Sequence, residues 1–269
     1  MVRTAGVDGP CFGAHGAWLT PGTRDASLCA GVGEGTLAAS RAEGTFHEPR
    51  RGAAIVTGDA RPDVKISPLV RDRIPLASEV LARAFQDDPV TDYMIPDPQE
   101  RARSLPMLYR VASGLAERFG EGFVTEPELL GAALWFPPGR TELGPDHFRE
   151  VGGGDLAKRL PDGAFGRFAS VMRYLDGLRE RDVPQPHWYL AVLGVEPELQ
   201  GRGIGGALVR PILERCDSAG LPSYLETQKQ RNVPFYERHG FRVVVEVDEP
   251  TSGIRFWTML REPARARAL

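Results

Sequence analysis

A glycine-rich segment near residue 200 is the part of the chain whose composition points most directly to chemistry. It reads Gln200-Gly-Arg-Gly-Ile-Gly-Gly206 and lies between an apolar run, residues 190–195, and the start of a predicted helix. Successive glycines let backbone N–H groups converge on one point, and the helix directs the positive end of its dipole at the same point. Because such an arrangement binds phosphate, the segment predicts a phosphate-binding loop.

Two classes of ligand fit the spacing of these glycines. Counted from Gly201, the run matches the G-x-G-x-x-G pattern of dinucleotide-binding folds, and Glu226 follows at the spacing of their ribose-binding acid. Counted from Gln200, the run equally matches Q-x-x-G-x-G. The surrounding chain favours the second pattern, because residues 196–200 separate the strand from the glycines. Only 43 residues follow Glu226, too few for the further strand–helix units of a dinucleotide site.

The Q-x-x-G-x-G run resembles the pyrophosphate loop of the GNAT superfamily of acetyl-CoA-dependent N-acetyltransferases, and the C-terminal third of the chain strengthens this resemblance. The L-E-T, R-N, P-F-Y-E-R and G-F motifs look most like those of puromycin N-acetyltransferase and its actinobacterial relatives. Strong motifs cover about residues 187–262 and say little about the substrate. They are His187-Trp-Tyr-Leu190, Tyr224-Leu-Glu-Thr227, Arg231-Asn-Val-Pro-Phe-Tyr-Glu-Arg-His-Gly-Phe241 and Phe256-Trp-Thr-Met259.

The resemblance implies that acetyl-CoA is the co-substrate, and it assigns the residues that contact it. The strand at 190–195 would donate backbone hydrogen bonds to pantetheine and to the oxyanion from Leu193 and Val195. Family members carry a β-bulge here that separates this strand from the next, and Gly194 is compatible with one. Asn232 would bind pantetheine or an ordered water, and it would also cap a short helix. The loop would bind the pyrophosphate, with Arg202 either on a phosphate or solvated. Its residues are Gln200, Gly201, Arg202, Gly203, Ile204, Gly205 and Gly206.

Acetyl transfer to an amine needs a base, a backbone donor and an acid around the thioester. The acceptor ammonium has a pKa of about 10 and must lose a proton, and the departing thiolate (thiol pKa about 8.5) is helped by one. The resemblance makes Tyr236 the acid that protonates the CoA sulfur. Glu226, at the end of an apolar strand, is the candidate base acting through water, and His187 is its rival. Many GNAT members carry a glutamate on the preceding strand, and this chain has none there, which leaves the base open.

The elements that must position these residues follow an α+β order. The resemblance implies a central mixed, mostly antiparallel sheet flanked by helices. A strand at 65–70 precedes a helix that Asp72 caps and that ends at residues 87–89. A second helix covers about 98–119, and the clearest later one lies near 165–181. Further strands are expected near 122–125 and 132–136.

The N-terminal half of this pattern offers side chains for recognition of the acceptor. Four large residues near element ends are candidates to line a pocket, and three acids could attract a cationic amine. The large residues are Phe85, Tyr93, Trp135 and Met172, and the acids are Asp87, Asp88 and Asp92.

Composition limits the function classes. A formal net charge of −3 argues against a nucleic-acid scaffold, and no apolar run has the length of a membrane span. Three cysteines, Cys11, Cys29 and Cys216, are too scattered for a disulfide framework or a metal site. Cys216 is expected to be buried on the apolar side of a helix. A cytoplasmic protein is the expectation.

Residues 1–63 are rich in small and polar residues and lack sustained periodicity, which predicts a disordered leader or a translation start near Val64. The N-acetyltransferase domain is expected at 64–263. The sequence therefore predicts an enzyme that moves acetyl from acetyl-CoA directly to a primary amine of a small molecule, without a metal or a covalent enzyme intermediate. The alternatives are a CoA-binding regulatory module without turnover and a nicotinamide-dependent oxidoreductase.

Overall fold

The described part of the chain, residues 64–264, consists of one sheet and the helices that cover it in the computed structural model. The disordered leader predicted for residues 1–63 lies outside the described residues and stays a prediction. The strands are β1 (Lys65–Pro68), β2 (Glu121–Glu126), β3 (Gly131–Phe136), β4 (Trp188–Val195), β5 (Ser223–Thr227), β6 (Arg242–Asp248) and β7 (Arg255–Arg261). The helices are α1 (Ile74–Ala84), α2 (Pro89–Met94), α3 (Pro98–Phe119), α4 (Pro145–Glu150), α5 (Leu156–Arg159), α6 (Ala164–Asp182), α7 (Ile204–Ala219) and α8 (Val233–Glu237).

The order of the strands decides between the fold classes. The sheet runs β1-β2-β3-β4-β5-β7-β6, and within residues 64–264 every neighbouring pair except β4–β5 is antiparallel. This confirms the predicted α+β fold with a mixed, mostly antiparallel sheet. It excludes the nicotinamide-dependent oxidoreductase, whose dinucleotide site needs several adjacent parallel strands. No helix among the residues described here combines the length and the apolar character needed to cross a bilayer.

Strand β3 lies between two hydrophobic cores and is buried along its whole length. Side chains alternate along a strand, so Ala132 and Leu134 pack with α1 and α3, while Ala133 and Trp135 pack with α7. The expectation that Trp135 lines an acceptor pocket is therefore wrong, because its ring belongs to the core beneath α7. Cys216 is fully buried in the same core, as expected, and burial raises the pKa of its thiol to about 11.

The predicted helix bounds are accurate where a capping residue and a proline mark the same helix start. α3 has the predicted bounds, and the Asp97 carboxylate before it accepts hydrogen bonds from the first-turn N–H groups at 2.7 and 2.9 Å. The prediction that Asp72 caps the first helix is wrong. Asp72 lies in a short 3-10 turn, and α1 begins at Ile74 because Pro75 occupies its first turn, where the missing N–H costs nothing.

The parallel strands β4 and β5 separate soon after they meet. Their register contains only two residue pairs, Trp188 with Ser223 and Tyr189 with Tyr224. On its other edge β4 remains paired with β3 as far as Val195, but the register shifts so that Ala191 has no partner. This bulge increases the local twist of β4 and so helps to separate it from β5.

The bulge therefore lies at Ala191 and not at Gly194, the residue that the sequence analysis considered compatible with one. A β-carbon on Gly194 would lie 2.6 Å from Leu81 Cδ2 and 3.1 Å from the Ala84 β-carbon. Gly194 is thus required by the close packing of α1 on β4.

We predict that Gly194→Ala lowers the free energy of unfolding by about 1–3 kcal/mol, because Leu81 is fully buried and cannot move aside freely. The matched control is Gly177→Ala on the exposed face of α6, where a new β-carbon meets no atom within 4 Å. That variant should gain about 0.5–1 kcal/mol from helix propensity. Chemical denaturation measures both, and equal stability of the two variants would contradict the packing argument.

Candidate active site

The separation of β4 from β5 leaves backbone hydrogen-bonding groups of β4 without a strand partner. Peptide groups alternate in direction along an antiparallel pair, and the Glu196 N–H points toward β3, where it donates to Leu130 C=O at 2.9 Å. The N–H groups of Val195 and Leu193 therefore point the opposite way, into the opening toward β5. In agreement, Val195 C=O accepts the Gln200 side-chain amide on that side at 3.2 Å. The opening thus presents donors from the two strand positions that the sequence singled out.

The glycine-rich loop after β4 ends in N–H groups that have no hydrogen-bond partner within the helix that follows. Gly201 and Gly203 have φ values of +80° and +90°, a left-handed conformation that favours glycine. Gly203 precedes α7, and the first bond of that helix runs from Ala207 N–H to Gly203 C=O at 3.1 Å. The N–H groups of residues 204–206 therefore have no partner within the helix. They meet at the positive end of a 16-residue helix, a suitable site for an anion.

The remaining loop residues differ in what their side chains do. Gln200 holds the loop against β4 through the bond to Val195, so its side chain is already engaged. Ile204 is buried in the core beneath α7, which leaves only its backbone for a ligand. Arg202 is half-buried and forms no ion pair with any residue between 64 and 264.

Gly205 and Gly206 bring the start of α7 against α8 and the residues that directly follow it. A β-carbon at Gly205 would lie 3.3 Å from the Phe235 ring, and one at Gly206 would lie 2.7 Å from His239 Nε2. These two glycines are therefore contact points between helices as well as parts of the loop.

Tyr236 lies on α8 with 8% of its surface exposed. Its ring packs edge-on against Phe235 and Phe241, with centroids 5.0 and 5.9 Å apart. Burial, and then the negative charge of Asp88, raise the pKa of the Tyr236 phenol. The hydroxyl therefore stays protonated at neutral pH, as a general acid requires.

The prediction that Asn232 caps α8 through its side chain is wrong. Asn232 has helical backbone angles, and Pro234, two residues further on, has no N–H to donate to a cap. Its side-chain amide instead donates to Thr227 Oγ1 at 3.0 Å. This bond fixes the start of α8 to the end of β5.

Glu226 projects from β5 into a buried polar cluster. Burial raises the pKa of its carboxyl to about 7, although the Arg179 charge and the Tyr189 hydroxyl both act to lower it. Its Oε1 atom is fully buried without a hydrogen-bond partner among the described residues. A carboxyl that titrates near neutral pH is suited to accept a proton.

Two members of this cluster come from α6 and were missed by the sequence analysis. The Arg179 guanidinium lies 4.5 Å from the centre of the Tyr189 ring and donates to Asp176 Oδ1 at 2.7 Å. Both side chains are largely buried. An Asp–Arg pair three residues apart on a helix normally indicates a solvated surface, so the local pattern gave no signal for this site.

His187, the rival base, lies away from the opening. It precedes Trp188, the first residue of β4, at the end where β4 and β5 are still paired. Its Nδ1 is 2.8 Å from Gln185 C=O, and burial lowers the pKa of its imidazole. The structure therefore does not bring His187 to the splayed end of the strands.

A cavity of about 130 Å³ adjoins β4 on the face covered by α1, α3 and α6. Of the large residues proposed for the acceptor pocket, Phe85 and Met172 line it, while Tyr93 packs against α6. Among the three acids only Asp88 reaches it. Asp92 pairs with Arg101 at 2.8 Å.

Comparisons with known proteins identify the family to which this fold belongs. Residues 161–241 match the model of the Acetyltransferase (GNAT) family. The chain is 30% identical over 200 residues to the uncharacterized N-acetyltransferase C550.08 of Schizosaccharomyces pombe, covering 70% of this chain and 78% of that protein. The chain therefore belongs to the GNAT family and is an N-acetyltransferase. Members of this family generally use acetyl-CoA as the acetyl donor.

Solved structures share the fold at low sequence identity. The histone acetyltransferase HPA2 and related acetyltransferase of Corynebacterium glutamicum superposes with a TM-score of 0.52 at 22% identity, over 76% of this chain and 99% of that one. An agmatine N-acetyltransferase superposes with a TM-score of 0.51 at 18% identity, over 74% of this chain and 100% of that one. At these identities the structures support the fold alone.

Proposed function

We propose that this protein transfers the acetyl group of acetyl-CoA directly to a primary amine of a small molecule while both substrates are bound. The observation that carries the proposal is the opening between β4 and β5. The N–H groups of residues 204–206, which have no partner within α7, follow it in the chain, and a cavity adjoins it. We assign this activity to residues 64–263. That boundary and the cytoplasmic location stay predictions.

For the acetyl donor, we propose backbone recognition along β4 and the loop. The N–H groups of Leu193 and Val195 would bind pantetheine and the carbonyl oxygen as it becomes negative. The loop N–H groups and Arg202 would bind the pyrophosphate. Asn232 would contact pantetheine from the start of α8, with Thr227 at the end of β5 fixing the orientation of its amide.

For the chemistry, we propose that Glu226 acts as the base through water and Tyr236 acts as the acid. Glu226 accepts one proton from the acceptor ammonium, and the free amine nitrogen then bonds to the acetyl carbonyl carbon. As the carbon–sulfur bond breaks, Tyr236 gives its phenolic proton to the sulfur. The second proton lost from the amine nitrogen then reprotonates the Tyr236 phenolate. Glu226 releases the first proton to solvent. The products are an N-acetyl amine, CoA thiol and one proton.

Gly203→Val should abolish acetyl-CoA binding, because a side chain at a φ of +90° strains the loop and blocks the phosphate. Isothermal titration calorimetry measures the affinity for acetyl-CoA, and NADH serves as a control ligand that should not bind. The matched control is Gly253→Val, which introduces the same side chain at a φ of +71° in the turn between β6 and β7. Retained acetyl-CoA affinity in Gly203→Val would mean that the pyrophosphate binds elsewhere.

Tyr236→Phe should lower kcat about 10- to 1000-fold while acetyl-CoA affinity stays nearly unchanged, because only the proton donor is lost. Release of CoA thiol in the presence of a panel of amines measures turnover. An unchanged kcat would remove the acid role. Wild-type protein that binds acetyl-CoA but releases no thiol with any amine would instead favour a CoA-binding regulatory module.

The pH profile tests the base. If Glu226 accepts the proton, kcat/KM should rise with pH through about 7 as its carboxyl ionises. Tyr189→Phe removes a hydroxyl that lowers this pKa, so the rising limb should move to higher pH. Glu226→Gln should turn over slowly, and its kcat/KM should not rise with pH through this range. Tyr174→Phe, which removes a phenol from α6 outside the cavity, is the control, and an equal shift in both tyrosine variants would argue against the assignment.

A further inference from the structure

Asp88 is a buried carboxylate whose two oxygens have different surroundings. It lies at the start of α2 with 4% of its surface exposed and lines the cavity. Its Oδ1 accepts hydrogen bonds from Val90 N–H at 3.1 Å and from the Gln228 side-chain amide at 3.0 Å. Its Oδ2 forms an ion pair with the Lys229 ammonium at 3.6 Å, beyond good hydrogen-bond distance. Oδ1 thus fixes the carboxylate, while a ligand ammonium at Oδ2 would share this oxygen with Lys229.

The charge of Asp88 acts on the region in which the chemistry would take place. After burial, it is the second cause that raises the pKa of both Tyr109 and Tyr236. Gln228, whose amide bonds to Asp88, directly follows β5, so a cation bound to Asp88 would lie beside the end of the strand that carries Glu226.

The rest of the cavity is mainly apolar and encloses a small volume. Its walls include Leu108, Leu134, Phe136, Phe168 and Met172 around about 130 Å³. At the α6 side, Asp176 is neutralised by Arg179 at 2.7 Å. The second oxygen of Asp176 is fully buried with no partner among residues 64–264.

We infer that Asp88 binds the ammonium of the acceptor, and that the acceptor is a compact primary amine with an apolar body. This inference rests on the proposed acetyl transfer. Asp88 acts as the residue that positions the amine, while Glu226 keeps the role of base. The apolar walls exclude long polycations, which would have to leave several charges without water or a partner.

The test compares two neighbouring carboxylates. Asp88→Asn keeps the size of the side chain and its ability to start a helix, but it removes the charge. With phenethylamine as acceptor, its kcat/KM should fall about 10- to 100-fold, mainly through KM. Asp87→Asn makes the same change at an exposed position outside the cavity and should match the wild type. Thermal midpoints identify any loss through misfolding.

A second measurement uses the wild-type protein alone. Phenethylamine should bind to the CoA complex in calorimetry, whereas its neutral isostere 2-phenylethanol should not, and spermidine should be a poorer acceptor than phenethylamine. Equal kinetics of the Asp88 and Asp87 variants, equal binding of the amine and the alcohol, or a preference for spermidine would overturn the inference and leave acetyl transfer intact. If no amine is turned over, the proposed function fails. In that case, phenethylamine binding that is weaker in Asp88→Asn than in the wild type would still support Asp88 as the residue that binds the ammonium. Equal binding in the two proteins, or no binding in either, would overturn that role.

Discussion

The site depends on one constraint of the sheet: β4 and β5 are hydrogen-bonded over only two residue pairs and then separate. Backbone N–H and C=O groups in a central strand normally require partners, and leaving them without any is unfavourable. Here β4 remains paired with β3 as far as Val195, and α1 packs closely on it at Gly194, while β5 diverges from it. Gln200 satisfies one of the exposed carbonyl groups, and the free N–H groups beside it are the ones that an extended ligand can pair with.

Around this opening, the protein holds carboxyls in different electrostatic states. Glu226 is buried with an unpaired oxygen and has a pKa raised to about 7, so it can exchange a proton at neutral pH. Asp176 is held beside Arg179 as an ion pair. Asp88 lies between these extremes, with one oxygen fixed and the other facing a lysine. All three carboxyls are largely buried, and they differ in how close the nearest cationic side chain lies.

The sequence predicted the parts of the structure that depend on local rules. The bounds of α3 follow from Asp97, Pro98 and a clear apolar periodicity, and the positive φ angles of the loop follow from its glycines. The errors have long-range causes. Gly194 was considered compatible with the bulge, but its small size serves a contact with α1, some 110 positions away in the chain. Arg179 was overlooked because no pattern within α6 reveals that Tyr189 covers it.

Gly206 joins two parts of the enzyme that sequence motifs treat as separate. Its missing side chain allows His239 to approach the first turn of α7, and His239 is bonded through Nδ1 to Phe235 C=O at 2.8 Å, next to Tyr236. The loop that would bind the donor and the segment around Tyr236 that would supply the proton are thus in direct contact through His239. Substitutions at residues 206 and 239 are accordingly expected to be interdependent, because a side chain at 206 fits only if residue 239 becomes smaller or moves.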